Sequence, residues 1–207
     1  PTHSSMRFRY LYQLTPFPYD QLREENRRRG RDQDEFELED TGVFAAGAYA
    51  EFEVEYAKAD VDEILVVATA TNRWDRRARL HLLPTLWFRN TWSWGCTHEG
   101  CERKPWIAQQ ADGTLLADHP TLGVMTFCLD QPGNPGMTRF LFTENETNAQ
   151  RIFGDENGSH PTKDAFHDYV VGGNSAAVSS KSRGTKVAAY YILEIPAQSE
   201  VIVRARL

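Results

Sequence analysis

Glu51-Phe52-Glu53-Val54-Glu55-Tyr56 alternates polar and apolar side chains with period two, the pattern of a strand with one wet face. A few residues on, Glu63 to Thr71 (EILVVATAT) is rich in β-branched residues and nearly continuous, which predicts a strand closer to the middle of a sheet. Arg79 to Phe88, Gly123 to Leu129, Met137 to Thr143, Lys186 to Ile195 and Glu200 to Leu207 read as further strands. Thr71 to Asp75 and Gln131 to Gly136 supply turns, and Ile195 to Glu200 is expected to join the last two strands as a hairpin.

Helical signals are fewer. Tyr19 to Arg29 has strong helix formers, with Pro18 ahead, Asp20 as the expected N-cap and Gly30 as the stop. Asn145 to Phe153, capped by Thr143 or Asn145, and Pro161 to Tyr169 each hold about two turns. Many strands without regular strand-helix alternation predict an all-β fold, an antiparallel β-sandwich carrying a few short helices.

The chain has 207 residues and a net charge of -6, so it is large enough for a substantial core and unsuited as a whole to nucleic acid or anionic lipid. Its basic run, Arg27-Arg28-Arg29-Gly30-Arg31, is followed by Asp32, Asp34, Glu35, Glu37, Glu39 and Asp40, so the two blocks neutralise each other on a solvated surface. Three cysteines form no even disulfide set and fit a reducing, cytoplasmic compartment. No apolar stretch approaches the roughly 20 residues of a membrane helix.

Leu82 to Gly95 (LLPTLWFRNTWSWG) begins as an apolar strand and ends in a loop carrying Trp92 and Trp94, with Arg89 and Asn90 ahead of them. Flat aromatic faces beside amide and guanidinium donors suit a sugar ring, whose C–H faces stack while its hydroxyls bond. The same residues also suit the rim of a core, and from the residues alone that packing reading carries more weight. Lys163-Asp164-Ala165-Phe166-His167-Asp168-Tyr169 gathers a base, acids and an imidazole, and reads equally as an ion-paired helix with Phe166 and Tyr169 turned inward. Glu144 with Glu146, and Asp164 with Asp168, are spaced as acid/base pairs would be, although 29 acidic residues make such pairs frequent by chance. Cys96, His98 and Cys101 could contribute to a zinc site but lack a second ligand pair at regular spacing, so no metal or cofactor is expected.

Phe17-Pro18-Tyr19, Glu24 to Gly30, Asp40 to Phe44, Leu82 to Gly95, Thr143 to Asn148, Lys163 to Tyr169 and Gly184-Thr185-Lys186 together resemble bacterial glucosidases of glycoside hydrolase family 63, relatives of mannosyl-oligosaccharide glucosidase and mannosylglycerate hydrolase. The resemblance implies an N-terminal β-supersandwich followed by an (α/α)6 barrel that hydrolyses terminal α-glucosidic bonds with inversion. It covers most of the sandwich and none of the barrel. Residues 1–207 are therefore expected to be one truncated sandwich domain, inactive alone, with no catalytic carboxylate to carry over. The expected partners are the C-terminal helical domain and, through the full-length enzyme, an oligosaccharide or glucoside. Arg89, Asn90, Trp92, Trp94, Lys163, Asp164 and His167 are the candidate substrate-bordering residues. A stand-alone carbohydrate-binding module using the Trp-rich loop is the alternative. A truncated sandwich would also leave an open sheet edge or apolar face, so a homodimer of this segment is expected.

Overall fold

The structure is a computed structural model, and it describes residues 3–95, 103–130, 136–155 and 160–207. In chain order the elements are β1 (Ser5–Gln13), α1 (Tyr19–Arg28), β2 (Tyr49–Asp60), β3 (Glu63–Asn72), β4 (Ala78–Leu82), β5 (Thr85–Trp87), β6 (Trp106–Gln109) and β7 (Leu115–His119). They continue through β8 (Gly123–Leu129), β9 (Met137–Thr143), α2 (Ala149–Phe153), α3 (Ala165–Val170), β10 (Arg183–Gly184), β11 (Lys186–Ile195) and β12 (Glu200–Arg206). The described strands lie in two antiparallel sheets, so the protein is all-β. No helix among the described residues is long and apolar enough to cross a membrane.

The chain forms two compact units, Pro1–Leu80 with Leu193–Arg204, and His81–Ile192 with Ala205–Leu207. In the first, β1, β2, β3 and β12 lie side by side in that order. The period-two pattern of β2 sorts its side chains by face. Glu51, Glu53 and Glu55 share one face with Arg7 and Arg9 of β1, while Phe52, Val54 and Tyr56 lie opposite Tyr10, Phe8 and Met6 on the other. Arg7 reaches Glu53 at 2.5 Å, Arg9 reaches Glu51 at 2.6 Å, and Arg73 adds a second cation to Glu51 at 3.0 Å. Hydrogen bonding from Arg9, with Arg73 reinforcing it against the effect of burial, holds the Glu51 carboxyl below its ordinary range. As read from sequence, β3 is internal, between β2 and β12.

Helix α1 begins one residue after Pro18 and has no side-chain cap. Asp20, expected to cap it, instead pairs with Arg23 at 2.6 Å. The basic run that follows makes contacts other than the expected ones with the acids from Asp32 to Asp40. Arg28 meets Glu25 at 3.0 Å, and Arg29 lies 5.0 Å over the Phe36 ring. Asn26 clasps Phe36 by donating to its carbonyl at 2.9 Å and accepting from its N–H at 2.8 Å.

In the second unit β8, β7, β6 and β10 are neighbours in that order, and Ala205 and Arg206 pair with Leu129 and Cys128 of β8. Strand β11 is central to the other sheet, with β9 on one side and β5 on the other. Its first half is buried nearly throughout, and Leu141, Phe166, Ala188 and Tyr190 form a core that Leu83, Tyr169 and Val178 pack against. The inward position of Phe166 and Tyr169 is the packing reading of the 163–169 stretch.

Several local expectations need correction. The single strand expected from Arg79 to Phe88 is interrupted between β4 and β5 at Leu83 and Pro84. Pro84 has no N–H for a ladder, and its carbonyl instead accepts from Ala189 at 3.0 Å. The Ile195–Glu200 link is not a hairpin, because β11 and β12 belong to different sheets. Helix α2 is capped by Asn148, whose side chain accepts from the Arg151 N–H, rather than by Thr143 or Asn145.

Candidate functional site

The segment Thr143 to Asn148 (TENETN) leaves the end of β9 and runs to the start of α2. Residues from 82–95, 163–169 and 184–186 meet it there. The Asn145 side chain donates to the Phe88 carbonyl at 2.8 Å, fixing the exit of β5. The Trp92 indole N–H donates to Glu146 at 2.7 Å. The Thr185 hydroxyl donates to Glu144 at 2.7 Å and accepts from the Asn145 N–H at 2.7 Å. The Glu144 N–H donates to the Pro161 carbonyl at 2.9 Å, and the Lys163 N–H to the Glu146 carbonyl at 3.0 Å. Lys186 then donates to the Lys163 carbonyl at 2.8 Å.

Lys104 stands at the centre of this node. Its ammonium lies 3.0 Å from Glu144, 2.8 Å from Glu146 and 5.5 Å from the centre of the Trp92 ring. His160 adds a contact to the second Glu146 oxygen at 2.7 Å. Burial alone would raise the Glu146 carboxyl, but the hydrogen bonds from Lys104 and Trp92 outweigh it and hold the group below its ordinary range. The same balance raises Lys104, where the two carboxylates outweigh burial.

The other carboxylate pair has the same form. Arg151 spans Asp164 at 2.7 Å and Asp168 at 3.2 Å. Thr162 and Asn148 donate to Asp164 as well, and these bonds outweigh burial and depress its pKa. Each pair of acids is thus tied to a single shared cation. An acid/base pair for glycoside hydrolysis needs one protonated and one free carboxyl facing the sugar. Two acids closed on one lysine or arginine are built to hold loops together.

Among the sequence-predicted residues, Trp92 and Lys163 enter the node directly, with the Lys163 ammonium 3.2 Å from the Thr147 hydroxyl. Asn90 shapes the loop before Trp92 through two bonds to Ser93, at 3.0 and 3.1 Å. Asp164 belongs to the Arg151 cluster, and Arg89 and His167 are exposed. The Trp94 side chain, Cys96, His98 and Cys101 lie outside the described residues. Lys104 and His160 were missed, because no local pattern marks a residue whose carboxylate partners lie well outside its own run, Glu144 and Glu146 for Lys104 and Glu146 for His160. Asn145 and Thr185 were legible as parts of quoted motifs, without a role.

Beside the node, Leu86, Trp87, Phe88, His119, Leu122 and Met125 line a cavity of about 150 Å³. Its wall is apolar, and Trp87 is 55% exposed at its edge. Burial and the charge of Arg103, opposed by Asp118, pull the His119 imidazole below its ordinary range. This cavity offers stacking surface but little hydrogen bonding, which a sugar ring needs as well.

No protein-family model matches the chain. An uncharacterized protein of Saccharomyces cerevisiae, YMR196W, is 33% identical to it over 235 residues. That alignment covers 99% of this chain and 21% of the yeast protein, so the chain spans about a fifth of the length of this relative.

Replacing Lys104 with Met is expected to destabilise the second unit by about 1 to 2 kcal/mol at pH 7, since it leaves two partly buried carboxylates facing each other. The Lys104 side chain is 42% exposed, so solvent screening limits the cost. A carboxyl depressed in the folded state adds stability above its unfolded pKa and loses it as pH falls through the folded value. The difference between wild type and variant should therefore shrink below about pH 4, as Glu146 protonates. Urea titrations at pH 7 and pH 3.5 measure it, and an equal difference at both values would contradict the assignment.

Proposed function

We propose that this chain is a non-catalytic β-domain of a cytoplasmic glucosidase resembling glycoside hydrolase family 63. The full-length protein then hydrolyses terminal α-glucosidic bonds through a helical catalytic domain, and the node around Glu144 and Glu146 presents loops that border its sugar pocket. One observation carries the reading. Four stretches that resemble the family, 82–95, 143–148, 163–169 and 184–186, are far apart in sequence and are joined in the second unit by a continuous set of hydrogen bonds. Such a node is what a scaffold needs to hold loops in one arrangement against a separate active site. The closure of both carboxylate pairs on single cations supports a positioning role over a catalytic one.

The stand-alone binding reading has less support. The Trp92 N–H is already spent on Glu146, and Lys104 sits over its ring.

The test uses the full-length protein. It should release glucose from terminal α-glucosides with inversion, whereas residues 1–207 alone should release none. Trp92→Ala in that protein should raise KM about three- to tenfold by loosening the loop, roughly 1 kcal/mol of lost binding. Absence of α-glucosidase activity in the full-length protein would overturn the proposal. A saturable change in Trp emission when residues 1–207 are titrated with glucose-terminated oligosaccharides would favour the binding module instead.

A further inference from the structure

The cavity of about 150 Å³ beside the node takes one wall from β5 and its exit, and the other from β7, β8 and the turn between them. All of these elements belong to the second unit. On the first side Leu86 and Trp87 pair with Val187 and Lys186 of β11, and the Phe88 N–H donates to the Thr185 carbonyl at 3.1 Å. On the second side β7 and β8 pair without interruption, from Leu115 opposite Phe127 to His119 opposite Gly123. The centres of the Phe88 and His119 rings lie 5.1 Å apart at a tilt of 37°, so the two walls are in contact. Backbone hydrogen bonds therefore fix both walls before any ligand enters.

Among the described residues that line the space, His119 alone has an ionisable side chain. Its Nδ1 accepts from the N–H of Thr121 at 3.3 Å and of Leu122 at 3.4 Å. Those groups can only donate, so Nδ1 carries no proton and the neutral ring holds its proton on Nε2. The depressed pKa keeps this wall uncharged at neutral pH.

Water settles in a cavity only where two to four polar partners receive it, and an apolar wall does not supply them. Sugar hydroxyls meet the same obstacle. Flat apolar rings do not. Trp87, Phe88 and His119 offer three ring surfaces, and the Met125 thioether makes favourable contacts at ring edges. A dry apolar cavity of about 150 Å³ has room for one benzene-sized molecule. Trp87 is 55% and Leu122 66% exposed, so such a molecule can enter from solvent without opening either sheet.

We propose that this cavity is a binding site for a small, uncharged, monocyclic aromatic molecule. Its ring packs among Trp87, Phe88, His119 and Met125, and any polar substituent stays in the solvent at the opening. Burial of six or seven heavy atoms in this way corresponds to a Kd of roughly 0.1 to 1 mM. The site is distinct from the Glu144 and Glu146 node and does not rest on the glucosidase reading.

The probe is fluorobenzene, titrated with the full-length protein while its fluorine resonance is followed by NMR. A saturable shift is expected. Met125→Trp places an indole in the space and should abolish it. Trp87→Ala removes one ring surface at a half-exposed position, so it should raise Kd about three- to tenfold with an unchanged melting curve. Excess glucose should leave the bound probe in place. Absence of saturable binding to the full-length protein overturns the proposal, as it would if another part of the chain filled the cavity. Binding that both substitutions leave intact, or displacement of the probe by glucose, overturns it as well.

Discussion

Replacing Asn72 with Asp is expected to destabilise the first unit by about 3 to 5 kcal/mol, a large share of the stability of a typical domain. Asn72 is fully buried at the end of β3. Its amide nitrogen donates to three carbonyls, those of Arg76 at 2.7 Å, Ile195 at 3.1 Å and Pro196 at 3.0 Å. Its side-chain oxygen accepts from the Trp74 N–H at 3.0 Å, and its own N–H donates to Ser199 at 2.9 Å. One side chain thus closes the 72–76 turn and fixes the chain where it passes from β11 to β12. A carboxylate of the same shape keeps the acceptor and loses both donors, and it sets a buried anion against three carbonyl oxygens. Asn72→Ala leaves the same groups unpaired without the charge, so it should cost less, about 1 to 3 kcal/mol. Urea denaturation at pH 7 gives the order. A midpoint for Asn72→Asp equal to wild type, or a milder effect than Asn72→Ala, would show that this turn is held by something else.

Gly184→Ala is expected to cost about 3 kcal/mol and to disturb the node. A methyl group there would lie 2.4 Å from the Thr143 carbonyl oxygen and 3.1 Å from its carbon. Both are backbone atoms of β9, so neither can swing aside as the tip of a flexible side chain could. The demand on this glycine is for space rather than for a left-handed backbone. Displacing Gly184 moves Thr185, whose N–H donates to the Thr143 carbonyl at 3.2 Å and whose hydroxyl joins Glu144 to the Asn145 N–H. The Thr143 hydroxyl is buried there with no hydrogen-bond partner among the described residues. Denaturant midpoint and Trp emission should therefore change together, as Trp92 loses its fixed partner. Unaltered stability would mean that β9 and β10 are less closely seated than the structure has them.

The two predictions act on different links between sequence and function. Asn72 secures the connection that lets β11 and β12 enter separate sheets, and it acts in the first unit alone. Gly184 permits the close approach on which the Glu144 and Glu146 node depends. If the proposed function holds, Gly184→Ala should impair the full-length glucosidase more than its loss of stability explains, because it moves the loops that border the sugar.

Much of the fold was legible. The alternation in Glu51 to Tyr56 gave both the strand and the division of its side chains between an ion-paired face and an aromatic face. The same signal was present and unread in β1, where Arg7 and Arg9 alternate with Phe8, Tyr10 and Tyr12. The short strands β6 and β7 were also missed, since four or five residues give a period of two little chance to declare itself. Pro84 was readable as a break and was passed over. The Ile195–Glu200 link could not be read, because Pro, Gln and Ser mark a turn whether it joins neighbours in one sheet or carries the chain to another.

For the candidate site, the Trp loop, the 143–148 acids and the 163–169 stretch were each visible as separate runs. That they meet, and that Lys104 closes them, was not. Strand pattern and turn residues are properties of neighbours in the chain and could be read without the fold. Which acids share a cation, whether Trp92 is free or engaged, and which strand is left at an edge depend on register between segments tens of residues apart. Those were decided by the tertiary structure, because only the packed sheets bring such distant donors and acceptors within hydrogen-bond reach.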